Sequence, residues 1–389
     1  MPVWRTHTKS MTGRQMIESA FSLEGTFDIP VVIPYEGIYV RDHWEQLTSC
    51  PWWYGQSPDI EHQMQWRRGY WAQTPCDWIG VHLFYSRAER SYLAIEERAD
   101  GTFLCDRSTG TEKRLEQPRI GGWGAPGRVE SYRPTSPPST FLELDELLPD
   151  PPTLDVNELK ASGRLELAQQ IVDEFSNLLP ITSVHSPLWE CYSIWGFESL
   201  MTLIAANPNL VEHACQRSLA RALRSVKVAA LLGAAGVWIE ECLTDLISAT
   251  AYARLNLPFI RRLADEIRSQ GMKSIHYYCG DPIGRWDLLL STGVDALSFE
   301  EGKKGFTIDI KDVIERVHGQ CVVLGNLDAI NLLPHRTDGQ LRAEIGRQIA
   351  AGRRNGSRFI MSLGSPITPG TSVERVRRYC ELTHKIGRH

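Results

Sequence analysis

Residues able to do chemistry recur in this sequence in short clusters. Glu240, Glu241 and Cys242 stand together; Tyr277, Cys279 and Asp281 follow, then Glu300 with Glu301, and Asn326 with Asp328. Near the start are Tyr35 with Glu36, then His82; His185 lies midway, and Ser362 with Ser365 near the end. A carboxyl group whose pKa is raised by burial is a general acid, which suits Glu240 and Glu300. A thiol at a strand end is placed as a metal ligand or a nucleophile, which suits Cys279, with Cys242 and Glu241 as further donors. Tyr277 and Asn326 carry groups that orient or protonate a bound molecule, and Tyr35, Glu36, His82 and Ser365 are the expected substrate contacts.

The elements that must position these clusters are short β-rich runs. They centre near residues 30, 80, 183, 238, 276, 297, 323 and 361, and from the fourth onward each is followed by a helical pattern. Strands alternating with helices imply a parallel sheet, and eight such units imply closure into a (β/α)8 TIM barrel. Each cluster then falls at the C-terminal end of its strand, where barrels build active sites. Alternation along a strand lets only one of Glu240 and Glu241 face the barrel, the other pairing with a Lys or Arg outside. Tyr277 and Cys279 share a face, and His276 points toward the helices.

The expected organisation is a single domain over residues 1–389. A helical extension opened by Thr12 precedes the barrel, a helix spans Val156 to Leu179, and a β-hairpin or meander is inserted at 86–140 around Asp100-Gly101 and Ser108-Thr109-Gly110. No glycine-rich phosphate loop follows the first strand and no GxxxxGK[ST] pattern is present, which argues against nucleotide enzymes of those types.

A formal net charge of −5 excludes the basic surface that nucleic acid requires, so no such partner is expected. No run approaches the roughly 18 apolar residues of a membrane span. Residues 1–16 lack an apolar core, so no secretory leader is expected, and a cytoplasmic location follows as the default. The nine cysteines form no CxxC pair and fit reduced thiols. Twelve tryptophans are many for the length, and six fall in residues 44–78 or just before them in packing order: Trp44, Trp52, Trp53, Trp66, Trp71 and Trp78. Aromatic-rich loops can line an apolar pocket; packing is the plainer account.

The segments GVDALSFEEGKKGFTIDIKDVIERV, LGNLDAINLL and FIMSLGSPITPGTSVERVRRY, with YYCGD at 277–281, resemble the uroporphyrinogen decarboxylase superfamily over about residues 230–385. The resemblance implies an enzyme of one of two kinds: a cofactor-free decarboxylase of uroporphyrinogen, or a zinc-dependent methyltransferase working between a corrinoid protein and a thiol. The decarboxylase branch carries an arginine-rich segment after the first strand; here the place reads PYEGIYVRDHWEQL, with Glu36 and only Arg41. In the methyltransferase branch a His-x-Cys pair and a late Cys hold zinc; the matching positions are Tyr277, Cys279 and Ser365, so only Cys279 remains. The expectation is therefore a methyltransferase on a small-molecule substrate, with zinc rebuilt from Cys279, Cys242 and Glu241 (or Glu240, or with His82), a corrinoid protein as partner and a homodimer as the assembly. A lyase using Glu240 or Glu300 as acid is the alternative.

Overall fold

A computed structural model describes residues 11–121, 134–242, 244–302 and 305–388. The segment before residue 11, where the absence of a leader is expected, and residues 122–133 of the expected insertion lie outside the described residues.

Seven parallel strands run in sequence order around the sheet: Trp78–Gly80, Leu179–His185, Gly236–Glu241, Lys273–Tyr278, Ala296–Phe299, Val322–Leu324 and Phe359–Ile360. Residues 29–33 close it. Val31 bridges Met361 in parallel, its carbonyl accepts from the Asp77 N–H at 2.9 Å, and Met361 N–H donates to Pro30 at 2.9 Å. The segment thus joins the last strand to the first of the seven, and the eight form a closed (β/α)8 barrel. Apolar residues such as Val31, Val237, Ile239, Ile275, Leu297 and Val323 are fully buried, as strands covered on both faces require.

Two local features differ from the sequence reading. The helical extension is Gly13–Ala20, shorter than expected, with Thr12 and Gln15 in a reciprocal capping box. The expected helix at 156–179 is two helices, Val156–Ser162 and Glu166–Glu174, broken at Gly163 in the left-handed region (φ 80°), and the third barrel strand starts at Leu179. The insertion is a three-stranded antiparallel meander, Leu93–Arg98, Gly101–Asp106 and Thr111–Leu115, preceded by the helix Arg87–Tyr92. From its end, residues 116–121 run back to the barrel mouth, where Gln56 donates to the Glu116 carbonyl and Arg41 to the Gly121 carbonyl.

Two helices rise from the mouth after the third strand. Pro187–Ala206 starts at an N-cap supplied by Ser186, whose hydroxyl accepts from Trp189 N–H, a cap worth about 1 kcal/mol. It kinks at Gly196, where φ is 70°. Pro208–Leu231 then descends to the fourth strand.

Candidate active site

Strand register decides which clusters face inward. Ser183 aligns with Trp238, His185 with Glu240, Glu240 with Tyr277, and Tyr277 with Ser298. Glu240 therefore faces the interior and Glu241 faces the surrounding helices. Glu241 is completely buried there, without the Lys or Arg partner expected of it. It accepts hydrogen bonds from Thr244 Oγ1 (2.6 Å), from Asn256 Nδ2 and from His276 Nε2 (3.1 Å). A carboxylate committed to three donors outside the barrel wall is not available to a metal on the inner side.

The inner side holds a cavity of about 560 Å³ at the ends of the first four strands. Its walls are largely aromatic: Tyr35, Trp44, Trp52, Trp66, Trp78 and Trp238. Trp78 stands perpendicular to Trp238 (89°, centroids 5.9 Å apart), and Tyr35 stands at 78° to it (6.1 Å). Tyr35 is held with φ at 59°, a left-handed conformation unusual for a non-glycine residue. Such strain is found where a side chain must be aimed, and here the ring is aimed at the cavity. Gln117 and Pro118, from the strand-like return of the insertion, form part of the rim.

Three ionisable side chains expected or considered from sequence, Glu36, His82 and Glu240, line this cavity, and His185 stands beside it. Glu36, at the start of the helix Glu36–Leu47, accepts from the Gly80 N–H at 3.3 Å and lies near the Arg67 guanidinium. Burial nonetheless raises its pKa, with Arg67 opposing. His82 lines the same space; desolvation against the walls, aided by Arg67, lowers its imidazole pKa, although the residue remains exposed at the mouth. Glu240 is raised by burial, with His185 opposing. His185 lies 3.8 Å from Glu240 and 2.6 Å from Glu190, whose hydrogen bond raises the imidazole pKa. Glu190 sits on the first turn of Pro187–Ala206, so the Ser186 cap also fixes this carboxylate against His185.

Other expected site residues are elsewhere. Tyr277, expected to be catalytic, stacks behind Trp238 (5.2 Å, 22°) and donates its hydroxyl to the Gly364 carbonyl at 2.9 Å; it supports the wall rather than lining the cavity. Asn326 donates its Nδ2 to the Glu300 and Ile308 carbonyls (3.2 and 2.8 Å), tying two loops together away from the cavity. Glu300 is fully buried and outside the cavity. Ser365, expected to touch substrate, donates to Glu301 Oε2 at 2.6 Å. Cys242 and Cys279 lie near the Tyr35 hydroxyl, whose pKa is raised first by burial, then by Glu240 and by both thiols. Among the described residues no three His, Cys, Asp or Glu side chains converge as a metal site. Zinc ordinarily takes three protein ligands at a catalytic centre, so the residues present do not fit it.

A closed barrel with an acid-bearing pocket at the C-terminal ends of its strands defines an enzyme-like site. Residues 133–386 match the model of the uroporphyrinogen decarboxylase family, and the chain belongs to that family. Among its relatives are a uroporphyrinogen decarboxylase of Azotobacter vinelandii, 27% identical over 62% of this chain and 67% of its own, and a methylated-thiol–coenzyme M methyltransferase of Methanosarcina mazei, 24% identical over 66% of this chain and 65% of its own. A solved methyltransferase from Methanosarcina mazei superposes with a TM-score of 0.66, covering 97% of this chain and 99% of that one at 15% identity, a likeness of fold. Family members are enzymes, decarboxylases or methyltransferases. No described helix is long and apolar enough to cross a membrane.

Proposed function

We propose that this protein is a methyltransferase that holds a small methylated substrate in the aromatic cavity and passes the methyl group to a soft nucleophile arriving at the barrel mouth. The observation that supports this most is the charge of the pocket. Its two cations are both committed: Arg41 pairs with Asp42 at 2.7 Å, and Arg67 bonds to Gln63 at 2.8 and 2.9 Å while lying over the Trp66 ring at 4.1 Å. Glu36 and Glu240 add negative charge to the same walls. Uroporphyrinogen presents eight carboxylates and would need several free cations; this cavity opposes it.

Methyl transfer makes smaller demands. The donor must be held with its methyl group toward the acceptor, water must be excluded, and the change of charge at the atom that loses the methyl must be answered. Aromatic walls meet the first two demands. Glu240, the ionisable group on the wall formed by Trp238 and Tyr35, meets the third. A corrinoid protein or a thiol is the acceptor this reaction calls for. We give zinc no part in the reaction, since the described residues assemble no group of three or more His, Cys, Asp or Glu side chains.

The test is a screen of methylated amines, ethers and thioethers with thiol and corrinoid acceptors, reading the demethylated product by mass spectrometry. A product that forms with the wild-type chain and falls about 100-fold or more in Glu240→Gln supports the proposal. Turnover of uroporphyrinogen instead, with no demethylated product from any donor, would replace it with the decarboxylase reading.

A further inference from the structure

We propose that the ligand of the aromatic cavity is a methylated ammonium ion, held by the rings of Trp78, Trp238 and Tyr35 and countered by Glu240. Three rings standing at near right angles offer the negative faces and the concavity that a quaternary ammonium ion favours over water. Tyr277, stacked on Trp238 from behind, keeps that ring from turning away.

The pocket's uncommitted charge is negative. Arg41 is neutralised by Asp42 and also bound to the Gly121 carbonyl, and Arg67 is spent on Gln63, on the Trp66 face and on Glu36. His185 is drawn to Glu190 at 2.6 Å and stands 3.8 Å from Glu240, beyond hydrogen-bond reach. Among the described residues no hydrogen bond reaches the Glu240 carboxylate. Glu240 is partly exposed at the cavity wall and only loosely paired with His185, so it can serve as counter-ion to a bound cation, and a trimethylammonium head supplies charge without requiring a hydrogen bond. An anionic ligand would meet Glu240 directly, and a neutral one would gain nothing from it. The cavity, at about 560 Å³, leaves room for a substituent beyond the head group.

This deepens the methyl-transfer reading without depending on it for binding. If a thiolate is the acceptor, its electron pair forms the new S–C bond, the C–N bond breaks with its pair passing to nitrogen, and a neutral tertiary amine leaves. No proton or oxidant is consumed, so Glu240 acts as counter-charge to the bound cation and not as an acid or base.

The experiment is calorimetric titration of the full chain with choline, with tetramethylammonium and with 3,3-dimethylbutan-1-ol, the neutral isostere of choline. The expected result is that choline binds about tenfold tighter than the alcohol. Glu240→Gln, which changes one atom, abolishes that preference while leaving alcohol binding unchanged. Trp238→Ala weakens both cations by about tenfold or more, and Trp238→Phe restores most of the loss. Equal affinity for choline and the alcohol, or a cation preference that survives in Glu240→Gln, overturns the proposal. A cation that binds as expected but is never demethylated upholds it and counts against the transfer reading alone.

Discussion

At the barrel mouth, residues 29–33 and the next three strands end on a cavity, while the last four strands end on packed protein. Both sides carry carboxylates. On the open side Glu240 faces rings and space, with one imidazole 3.8 Å away. On the outer face of the same strand Glu241, adjacent in sequence, is wrapped by Thr244, Asn256 and His276, and on the closed side Ser365 is bonded to Glu301. The same residue type one position apart is a candidate reactive group in one case and a brace in the other. What separates them is which face of the strand they occupy and how many donors the neighbouring helices supply.

That contrast can be broken at its strongest point by removing the brace. Glu241→Ala leaves a buried imidazole and a buried amide without their acceptor, and the expected loss is about 3 kcal/mol in urea unfolding. A loss well under 1 kcal/mol would mean that Glu241 is not a brace and is free for another role. Gly280 probes the same wall. It sits at φ 153°, and a Cβ there would lie 2.3 Å from the Asp245 side chain. Gly280→Ala is expected to cost about 1–3 kcal/mol and to lower the thermal midpoint, whereas Gly37→Ala, where a Cβ meets nothing within 4 Å, should change it little.

Metal content sharpens the comparison further. Protein purified without chelator is expected to carry well under one zinc per chain by elemental analysis, and Cys279→Ala to leave that value unchanged. Stoichiometric zinc lost in Cys279→Ala would move the chemistry to the closed side. The smallest effect concerns His185, whose pKa is raised in the folded chain by Glu190. A raised imidazole contributes stability below its unfolded value, and that contribution fades as pH rises through the folded value. Glu190→Gln should therefore be less stable than the wild type near pH 5.5, by at most about 1 kcal/mol because the pair is half exposed, and the gap should close by pH 8.5.

The barrel was legible because parallel strands buried on both faces read as apolar runs between helical patterns, and Pro30–Ile33, Gly236–Glu241 and Lys273–Tyr278 are such runs. Side-chain direction along a regular strand was legible too: His276 lies toward the helices. The location of the cavity was harder. Acids and thiols at the ends of later strands look like a site in sequence, but whether Glu300, Asn326 and Ser365 meet a cavity or each other depends on loop packing that no local pattern encodes. The tryptophans carried the signal for the cavity. Trp44, Trp52, Trp66 and Trp78 are clustered in sequence, yet core packing is the commoner use of such residues, and Trp238 completes the walls from 160 positions after Trp78. Arg67 and Glu190 gave no signal of their own, because a helical arginine and a helical glutamate are ordinary surface residues until a partner is buried beside them.

The most direct measurement compares Glu240→Gln with Cys279→Ala in one demethylation assay under one set of conditions. If the open side does the chemistry, Glu240→Gln loses about 100-fold in kcat/KM or more, while Cys279→Ala stays within about threefold of the wild type. The reverse order, with Cys279→Ala inactive and Glu240→Gln near wild type, would contradict the account and place the reaction on the side that is packed in this structure.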